Sequence, residues 1–145
     1  MRNQEQGAKK EITTGLEGKY SIYHSSAVGL VRGKAGLQEY TDAAVNDPLV
    51  KRVRERVTAI SDTSITEDQA HIEVELQDGR KLVRFIEQSL GNVHRPLSDK
   101  QLEEKLRDQC IGMLSEAQVD RLIELCWNID QLDDVNDVMK ATVSS

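Results

Sequence analysis

The Asp78-Gly79 pair constrains the fold of this chain more than any other feature, because two runs of β-forming residues flank it. Asp-Gly is a favoured pair for the two-residue turn of a β-hairpin, so residues 70–87 are predicted to form an antiparallel hairpin. A two-residue turn places Val74 opposite Val83. One face of the predicted hairpin is apolar and is expected to face the core; it carries Ile72, Val74, Leu76, Val83 and Phe85.

A hairpin alone is only marginally stable in water, so it needs another strand or a packed helix. Residues 57–61 are a plausible third strand. Ahead of them, helical spacing of small and apolar residues predicts a helix over residues 20–31, with Gly33 as its C-terminal stop. Asp47-Pro48 predicts the start of a second helix, because Asp is a good N-cap and Pro suits the first helical position.

The last third of the chain is predicted to be helical. Ser98-x-x-Gln101 and Ser115-x-x-Gln118 are capping-box patterns, and each precedes apolar residues that recur every 3.6 positions. The predicted stripes carry Leu102, Leu106, Cys110 and Met113, then Val119, Leu122, Ile123, Cys126 and Ile129, then Val135, Val138 and Met139. The fold class is therefore α+β, with helices packed on a small antiparallel sheet and followed by C-terminal helices.

Composition argues against several classes of partner. The chain has 145 residues and a formal net charge of -6, so neither nucleic acid nor an anionic membrane is an expected partner. No apolar run approaches the ~20 residues of a membrane span, and the N-terminus lacks an apolar secretion segment, which predicts a cytoplasmic protein. Cys110 and Cys126 lack zinc-site spacing, and both are expected in the core. His71 and His94 have no second ligand at metal spacing, so no metal site is predicted.

Residues 18–33 read GKYSIYHSSAVGLVRG, in which Gly, Lys, Tyr and His open a helix of small residues. Four further blocks follow in order: LQEYTDAAVNDPLV at residues 37–50, the turn at 78–79, a Gly91 loop that ends in HRPLS, and LEEKL at residues 102–106. These five blocks resemble the C-terminal part of the MmgE/PrpD family. Members of that family include 2-methylcitrate dehydratases, cis-aconitate decarboxylases and an iminodisuccinate epimerase.

The resemblance implies a division of the chain into three parts. Residues 1–15 are polar and without apolar periodicity, so they are expected to be a mobile tail. Residues 16–97 resemble the α+β lid domain of the family, and residues 98–145 resemble the C-terminal helices that pack on a large helical domain. That helical domain supplies most of the catalytic groups in the family and is expected to be absent from this chain.

The function implied by the resemblance is that of a lid and pocket wall in an enzyme that acts on small polycarboxylates. The family reactions are dehydration, decarboxylation and epimerisation, which share proton removal or delivery next to a carboxylate. No metal or other cofactor is expected. Whether the chain is itself an enzyme stays open, because without a helical domain it is expected to be inactive.

His24 is the candidate catalytic residue. A lone histidine on a half-apolar helix favours a structural role, whereas the resemblance implies that His24 faces the substrate pocket. An imidazole there could transfer a proton or bind a substrate carboxylate. Lys19, Ser21 and Arg32 are the candidate substrate-binding residues, since they share or flank the same helix and fixed cations attract anionic ligands. For the two cations, a solvated helix end is the alternative.

Three interpretations of the whole chain stay open. It could be a split or truncated enzyme that works with a helical-domain partner chain. It could be a non-catalytic binding module that forms homodimers through its unburied helical stripes, or a gene fragment without a present function. An adjacent reading frame that encodes a helical domain would favour the first interpretation.

Overall fold

The computed structural model of the chain describes residues 10–143. The chain divides into two compact units, Met1–Ile60 and Ser61–Ser145. Seven α-helices and a two-stranded antiparallel sheet form the part that the structure describes, so the fold is α+β, as predicted.

The first unit is helical. Its elements are α1 (Gly15–Lys19), α2 (Ile22–Arg32), a 3-10 helix (Leu37–Tyr40), α3 (Asp42–Asn46) and α4 (Pro48–Arg56). Helix α2 ends at Gly33, which adopts the left-handed conformation (φ 71°) and so confirms the predicted stop. Asp47 caps α4 through hydrogen bonds from the backbone of Leu49 and Val50, with Pro48 at its start. This start is also confirmed.

Helices α2 and α4 form the apolar core of the first unit. Ala27, Val28 and Val50 are completely buried against one another, and Val31 and Val53 pack around them. Burial of a valine side chain contributes about 1.5–3 kcal/mol to folding. This small cluster therefore fixes α2, which carries His24 and Arg32, against α4.

The N-terminal segment predicted to be mobile covers residues 1–15. Its residues 1–9 lie outside the described part of the chain. Ile12 is buried, and its carbonyl oxygen accepts a 3.5 Å hydrogen bond from Arg54. The guanidinium of Arg54 also donates to the carbonyl of Val45 at 3.0 Å. Ile12 is thus part of the packed first unit.

The sheet of the second unit is the predicted hairpin, with strands β1 (Ala70–Glu75) and β2 (Lys81–Ile86). Its loop differs from the prediction. The backbone N–H of Leu76 donates to Arg80 at 2.8 Å, which leaves a three-residue loop between them. Gly79 takes the left-handed conformation (φ 83°) at the last loop position, as in a turn followed by a one-residue bulge.

The longer loop shifts the register by one residue. Val74 lies opposite Leu82 and not Val83, so the predicted register is wrong, and Val83 instead lies opposite Glu73. Residues directly opposite each other share a face of the sheet. The predicted apolar face is therefore also wrong: one face carries Ile72, Val74, Leu82 and Arg84, and the other carries His71, Glu73, Glu75, Lys81, Val83 and Phe85.

The predicted third strand at residues 57–61 is not formed. Helix α4 continues to Arg56, and the N–H of Val57 bonds back to Arg54 as the helix ends. The residues that follow have no strand partner among residues 10–143, where the sheet consists of β1 and β2.

Three helices and a 3-10 turn complete the second unit. They are α5 (Asp99–Cys110), α6 (Glu116–Trp127), the 3-10 turn Ile129–Gln131 and α7 (Asn136–Ala141). Both predicted capping boxes are present, because Ser98 and Ser115 each exchange hydrogen bonds with the glutamine three residues later. Such caps typically stabilise a helix by about 1 kcal/mol.

Helices α5 and α6 pack through a small apolar cluster. Cys110, Val119 and Ile123 are buried in it, with Leu106 and Leu114 packed against them. The buried position of Cys110 was predicted. Cys126 is exposed, so its assignment to the core is wrong. An exposed ion pair also joins α5 to α6, with 2.6 Å between Arg107 and Asp120. None of the helices between residues 10 and 143 is long and apolar enough to span a membrane.

Candidate functional site

His24 lies in the first turn of α2 and is completely buried. Its Nε2 is 2.8 Å from the carbonyl oxygen of Glu39 in the 3-10 helix. A carbonyl oxygen only accepts hydrogen bonds, so Nε2 must carry the proton of this bond. The other ring nitrogen, Nδ1, is equally covered and has no hydrogen-bond partner among the described residues.

Two neighbours fix the orientation of the His24 ring. Tyr40 packs against it edge to face, with 5.5 Å between ring centroids and 69° between the ring planes. The hydroxyl of Tyr40 is held in turn by a 2.9 Å hydrogen bond with Ser25. Gly18 of α1 is the second neighbour, and it lies so close to the ring that a Cβ atom there would be 3.1 Å from Cδ2 of His24.

The electrostatic environment of His24 favours its neutral form. Burial, followed by the positive charges of Arg54 and Arg32, lowers the pKa of His24 below its usual value of 6.5, although the hydrogen bond to Glu39 acts in the other direction. Removing a cation from water is unfavourable, and nearby cations increase that cost. His24 is therefore a neutral imidazole at pH 7.

Arg32 lies at the other end of α2 and forms ion pairs there. Its guanidinium is 3.0 Å from Asp47 and 3.8 Å from the buried carboxylate of Glu39. The hydrogen bond from Arg32, with those from the backbone of Leu49 and Val50, lowers the pKa of Asp47. Arg32 thus connects α2 to the start of α4 and to the 3-10 helix.

The other two predicted site residues flank the start of α2. Ser21 is buried and caps the helix, since its hydroxyl accepts a 3.2 Å hydrogen bond from the backbone N–H of His24. Lys19 is exposed at the end of α1. The structure thus brings Ser21 into contact with His24, and Lys19 lies two residues before Ser21. Arg32 lies at the far end of α2, where its guanidinium is 3.8 Å from the carboxylate of Glu39, the residue whose carbonyl binds His24.

Glu39 and Tyr40 contact His24 directly but were not predicted as site residues. Tyr40 could have been found, because it lies in the block at residues 37–50 on which the family resemblance rests. The contact of Glu39 is made by its backbone carbonyl. A backbone group leaves no signal in the residue type, so the sequence contained no indication of this bond.

The second unit has an apolar groove of about 180 Å³ between α5 and α6. Its lining residues are Leu102, Glu103, Leu106, Ile123, Cys126 and Trp127. Glu103 accepts a 2.9 Å hydrogen bond from the indole N–H of Trp127, so this carboxylate is already engaged. In residues 10–143 no group of three or more His, Cys, Asp or Glu side chains is placed to hold a metal ion.

These observations define an α+β chain in which a buried histidine lies in the first turn of α2, shortly after the Gly18-Lys19 pair that ends α1. Residues 3–129 match the MmgE/PrpD C-terminal domain, and the chain belongs to this family. It is similar to cis-aconitate decarboxylase of Homo sapiens, with 26% identity over 122 residues. That match covers 81% of this chain and 25% of the relative, so the chain spans about a quarter of the relative's length.

Proposed function

We propose that this chain forms the lid and pocket wall of an MmgE/PrpD-like enzyme that acts on small polycarboxylates by proton transfer next to a carboxylate. Family membership supports the reaction class, and the name of the human relative, a decarboxylase of cis-aconitate, supports the substrate class. The chemistry within that class, whether dehydration, decarboxylation or epimerisation, is left open by this proposal.

The observation that carries the proposal is the environment of His24. A buried polar atom normally has a hydrogen-bond partner, yet Nδ1 of His24 has none among residues 10–143. A neutral imidazole with one nitrogen bound and the other unpaired has a free lone pair that can accept a proton, and a bound anionic substrate would offset the burial and the two arginines that lower the pKa of His24. His24 is therefore the group to which we assign proton transfer.

Of the two predicted cations, Lys19 is better placed than Arg32 to attract a polycarboxylate. Lys19 is exposed and is the last residue of α1, the helix that precedes His24. Arg32 already contacts two carboxylates, those of Asp47 and Glu39. A substrate would have to displace one of them. We assign Ser21 to positioning of the helix, because its hydroxyl is occupied as the N-cap.

The proposal requires a partner that completes the site. Glu39, the acidic residue in contact with His24, has a carboxylate bound by the backbone of Gly36 and by Arg32. It is therefore poorly suited to act as a second proton-transfer group. The helical domain of the family is the proposed source of that group, either on a partner chain or elsewhere in a longer polypeptide.

A complementation assay tests the proposal. The helical domain of a family member would be mixed with this chain, and turnover of cis-aconitate and citrate-like substrates would be followed. We expect activity with the wild-type chain and a loss of ~10²-fold or more with His24→Gln, the size of effect typical for a positioned acid or base. Glutamine can still donate to the Glu39 carbonyl, so the fold is perturbed little.

His71→Gln is the matched control, since His71 is exposed on the hairpin. It should retain wild-type turnover. Full activity of a folded His24→Gln variant would overturn the assignment of His24. Absence of turnover with every helical domain tested, under conditions where the two chains bind each other, would count against the proposed function itself.

The exposed apolar residues of the second unit favour a second candidate function, that of a non-catalytic dimerising module. Trp127 is 50% exposed, Ile129 52% and Met139 63%. Large apolar side chains that are exposed together as one patch mark protein–protein interfaces, whereas single exposed ones are common on any surface. Sedimentation velocity over a range of concentrations tests this candidate: a reversible dimer supports it, and a monomer at all concentrations excludes it.

A further inference from the structure

We propose that Glu39 is a positioning residue for His24, and that it fixes the Nε2–H tautomer so that Nδ1 is the nitrogen that exchanges a proton with the substrate. This inference rests on the proposed function for its second part. Its first part is the tautomer of His24 and the dependence of that tautomer on Glu39. This part concerns the chain alone and can be tested without an activity assay.

The tautomer follows from the partner of Nε2. At 2.8 Å from Nε2, the carbonyl oxygen of Glu39 can only accept, so a neutral ring must carry its single N–H on Nε2. Nδ1 then holds the lone pair. In the other tautomer two lone pairs would face each other across this bond, and a buried acceptor would lose its donor at a cost of about 1–3 kcal/mol.

A half-turn of the ring would put Cε1 where Nε2 lies and would leave the carbonyl of Glu39 without its donor. A Cβ atom on Gly18 would lie 3.1 Å from Cδ2 and 3.5 Å from Nε2, so the backbone of α1 is packed along that edge of the imidazole. Tyr40 contacts the ring edge to face. Nδ1 and Cδ2 are the two atoms bonded to Cγ, and Nδ1 therefore points away from the edge that Gly18 covers.

The carbonyl of Glu39 is itself held by the side chain of the same residue. Its carboxylate accepts a 3.0 Å hydrogen bond from the backbone N–H of Gly36, which closes the 3-10 turn, and lies 3.8 Å from Arg32. Only 2% of Glu39 is exposed. The side chain thus anchors the turn to the far end of α2, while the carbonyl of the same residue binds His24 near its start.

The consequence for mechanism is an order of events. With Nε2–H directed at a fixed carbonyl, His24 has no proton to give from that nitrogen and can begin the reaction only by accepting one at Nδ1. It becomes a proton donor after that step. Nδ1 is covered in the described structure, so a substrate reaches it only after neighbouring side chains move.

Long-range 1H–15N correlation spectra of the 15N-labelled chain test the tautomer directly, because the two neutral tautomers give different correlation patterns. We expect a pure Nε2–H pattern for His24 at pH 7.5, with mixed patterns for the exposed His71 and His94. An Nδ1–H pattern or an equal mixture at His24 in the wild-type chain would overturn the proposal at once.

Substitution of Glu39 tests the positioning role. Glu39→Gln keeps a side-chain oxygen that can accept from the N–H of Gly36, so it should retain the Nε2–H pattern. Glu39→Ala removes that side-chain acceptor and keeps the backbone carbonyl. The 3-10 turn is then no longer held, and the second tautomer of His24 should appear. If Glu39→Ala does not fold, as judged by circular dichroism, Arg32→Gln replaces it as the loosening variant, with the same expectation. An unchanged single tautomer in a folded loosening variant would show that Glu39 does not position His24.

The same variants separate this inference from the proposed function. In the complementation assay, Glu39→Ala should have a lower kcat than the wild-type chain, and Glu39→Gln should have a kcat close to that of the wild type. KM should change little in both variants. A correct tautomer together with an inactive complex would leave the positioning role intact and count against the function. An active complex in which His24 has the Nδ1–H tautomer would support the proposed function and overturn the positioning role of Glu39.

Discussion

Gly18 and His24 pack so closely that the contact leaves no room for a side chain at residue 18. A Cβ atom there would lie 3.1 Å from Cδ2 of His24 and 2.8 Å from Cγ2 of Val45. The tighter of the two contacts is with Val45, so residue 18 must be a glycine for both Val45 and His24 to keep their positions.

Gly18→Ala should therefore destabilise the first unit. Overpacking of this kind typically costs about 1–3 kcal/mol, which exceeds the gain of about 0.5–1 kcal/mol expected for Ala over Gly in a helix. Gly29→Ala is the matched control, because Gly29 lies inside α2 and a Cβ there has no heavy atom within 4 Å. It should be stabilising. Urea denaturation followed by circular dichroism measures both, and similar midpoints would refute the packing argument.

The stability of the first unit should fall in mild acid. Burial and two arginines lower the pKa of His24 in the folded state, so the unfolded chain binds a proton that the folded chain resists. The contribution is fully present above the unfolded pKa of about 6.5 and is lost progressively below it. Urea titrations between pH 8 and pH 5 should show this loss, and His24→Gln should reduce it. His94→Gln, an exposed control, should leave it unchanged.

Lys19 should act on substrate affinity more than on turnover. Its exposed ammonium group is assigned to attraction of a polycarboxylate, an interaction present before and during the chemical step. In the complementation assay, Lys19→Gln should raise KM several-fold with kcat nearly unchanged, and added salt should reduce the difference. Lys100→Gln, on the exposed surface of α5, is the control. A fall in kcat with an unaltered KM would assign Lys19 to the chemistry instead.

Two isoleucines of the second unit should differ sharply in their effect on stability. Ile123 is 8% exposed in the core between α5 and α6, while Ile129 is 52% exposed. Ile123→Ala should cost about 2–5 kcal/mol, the range for deletion of a buried aliphatic group. Ile129→Ala should cost less than ~0.5 kcal/mol in a monomer. A large, concentration-dependent loss with Ile129→Ala would instead indicate that this residue is covered in a dimer.

The parts of the fold that sequence predicted are those with a local cause. Gly33 and the serine caps of α5 and α6 act through bonds within a few residues, so their positions can be read from residue type and spacing. The hairpin loop shows the limit. Asp78-Gly79 suits a two-residue turn and also a three-residue loop with Gly79 in the left-handed position, and the choice depends on contacts along both strands.

In the candidate site too, some features could be predicted from nearby residues and others depend on contacts between distant parts of the chain. The family resemblance singled out His24, but its burial depends on α1 and the 3-10 helix, which meet it only in the folded chain. Arg32 looked like a free cation beside the site because its acidic partners lie 7 and 15 residues further along. No local pattern connects such positions.

The shifted register of the hairpin also affects the tendency of the chain to associate through its backbone. A two-stranded sheet has two open edges, and exposed edges can pair with strands of other molecules. In the observed register, Glu73 and Glu75 of β1 share a face with Lys81 of β2, and Lys81 lies 2.6 Å from Glu73. A β1 strand from another copy, added at the free edge of β1, would bring its own carboxylates next to Glu73 and Glu75, and like charges in such positions are destabilising. These two carboxylates thus disfavour edge-to-edge pairing of β1 with the β1 strand of another copy.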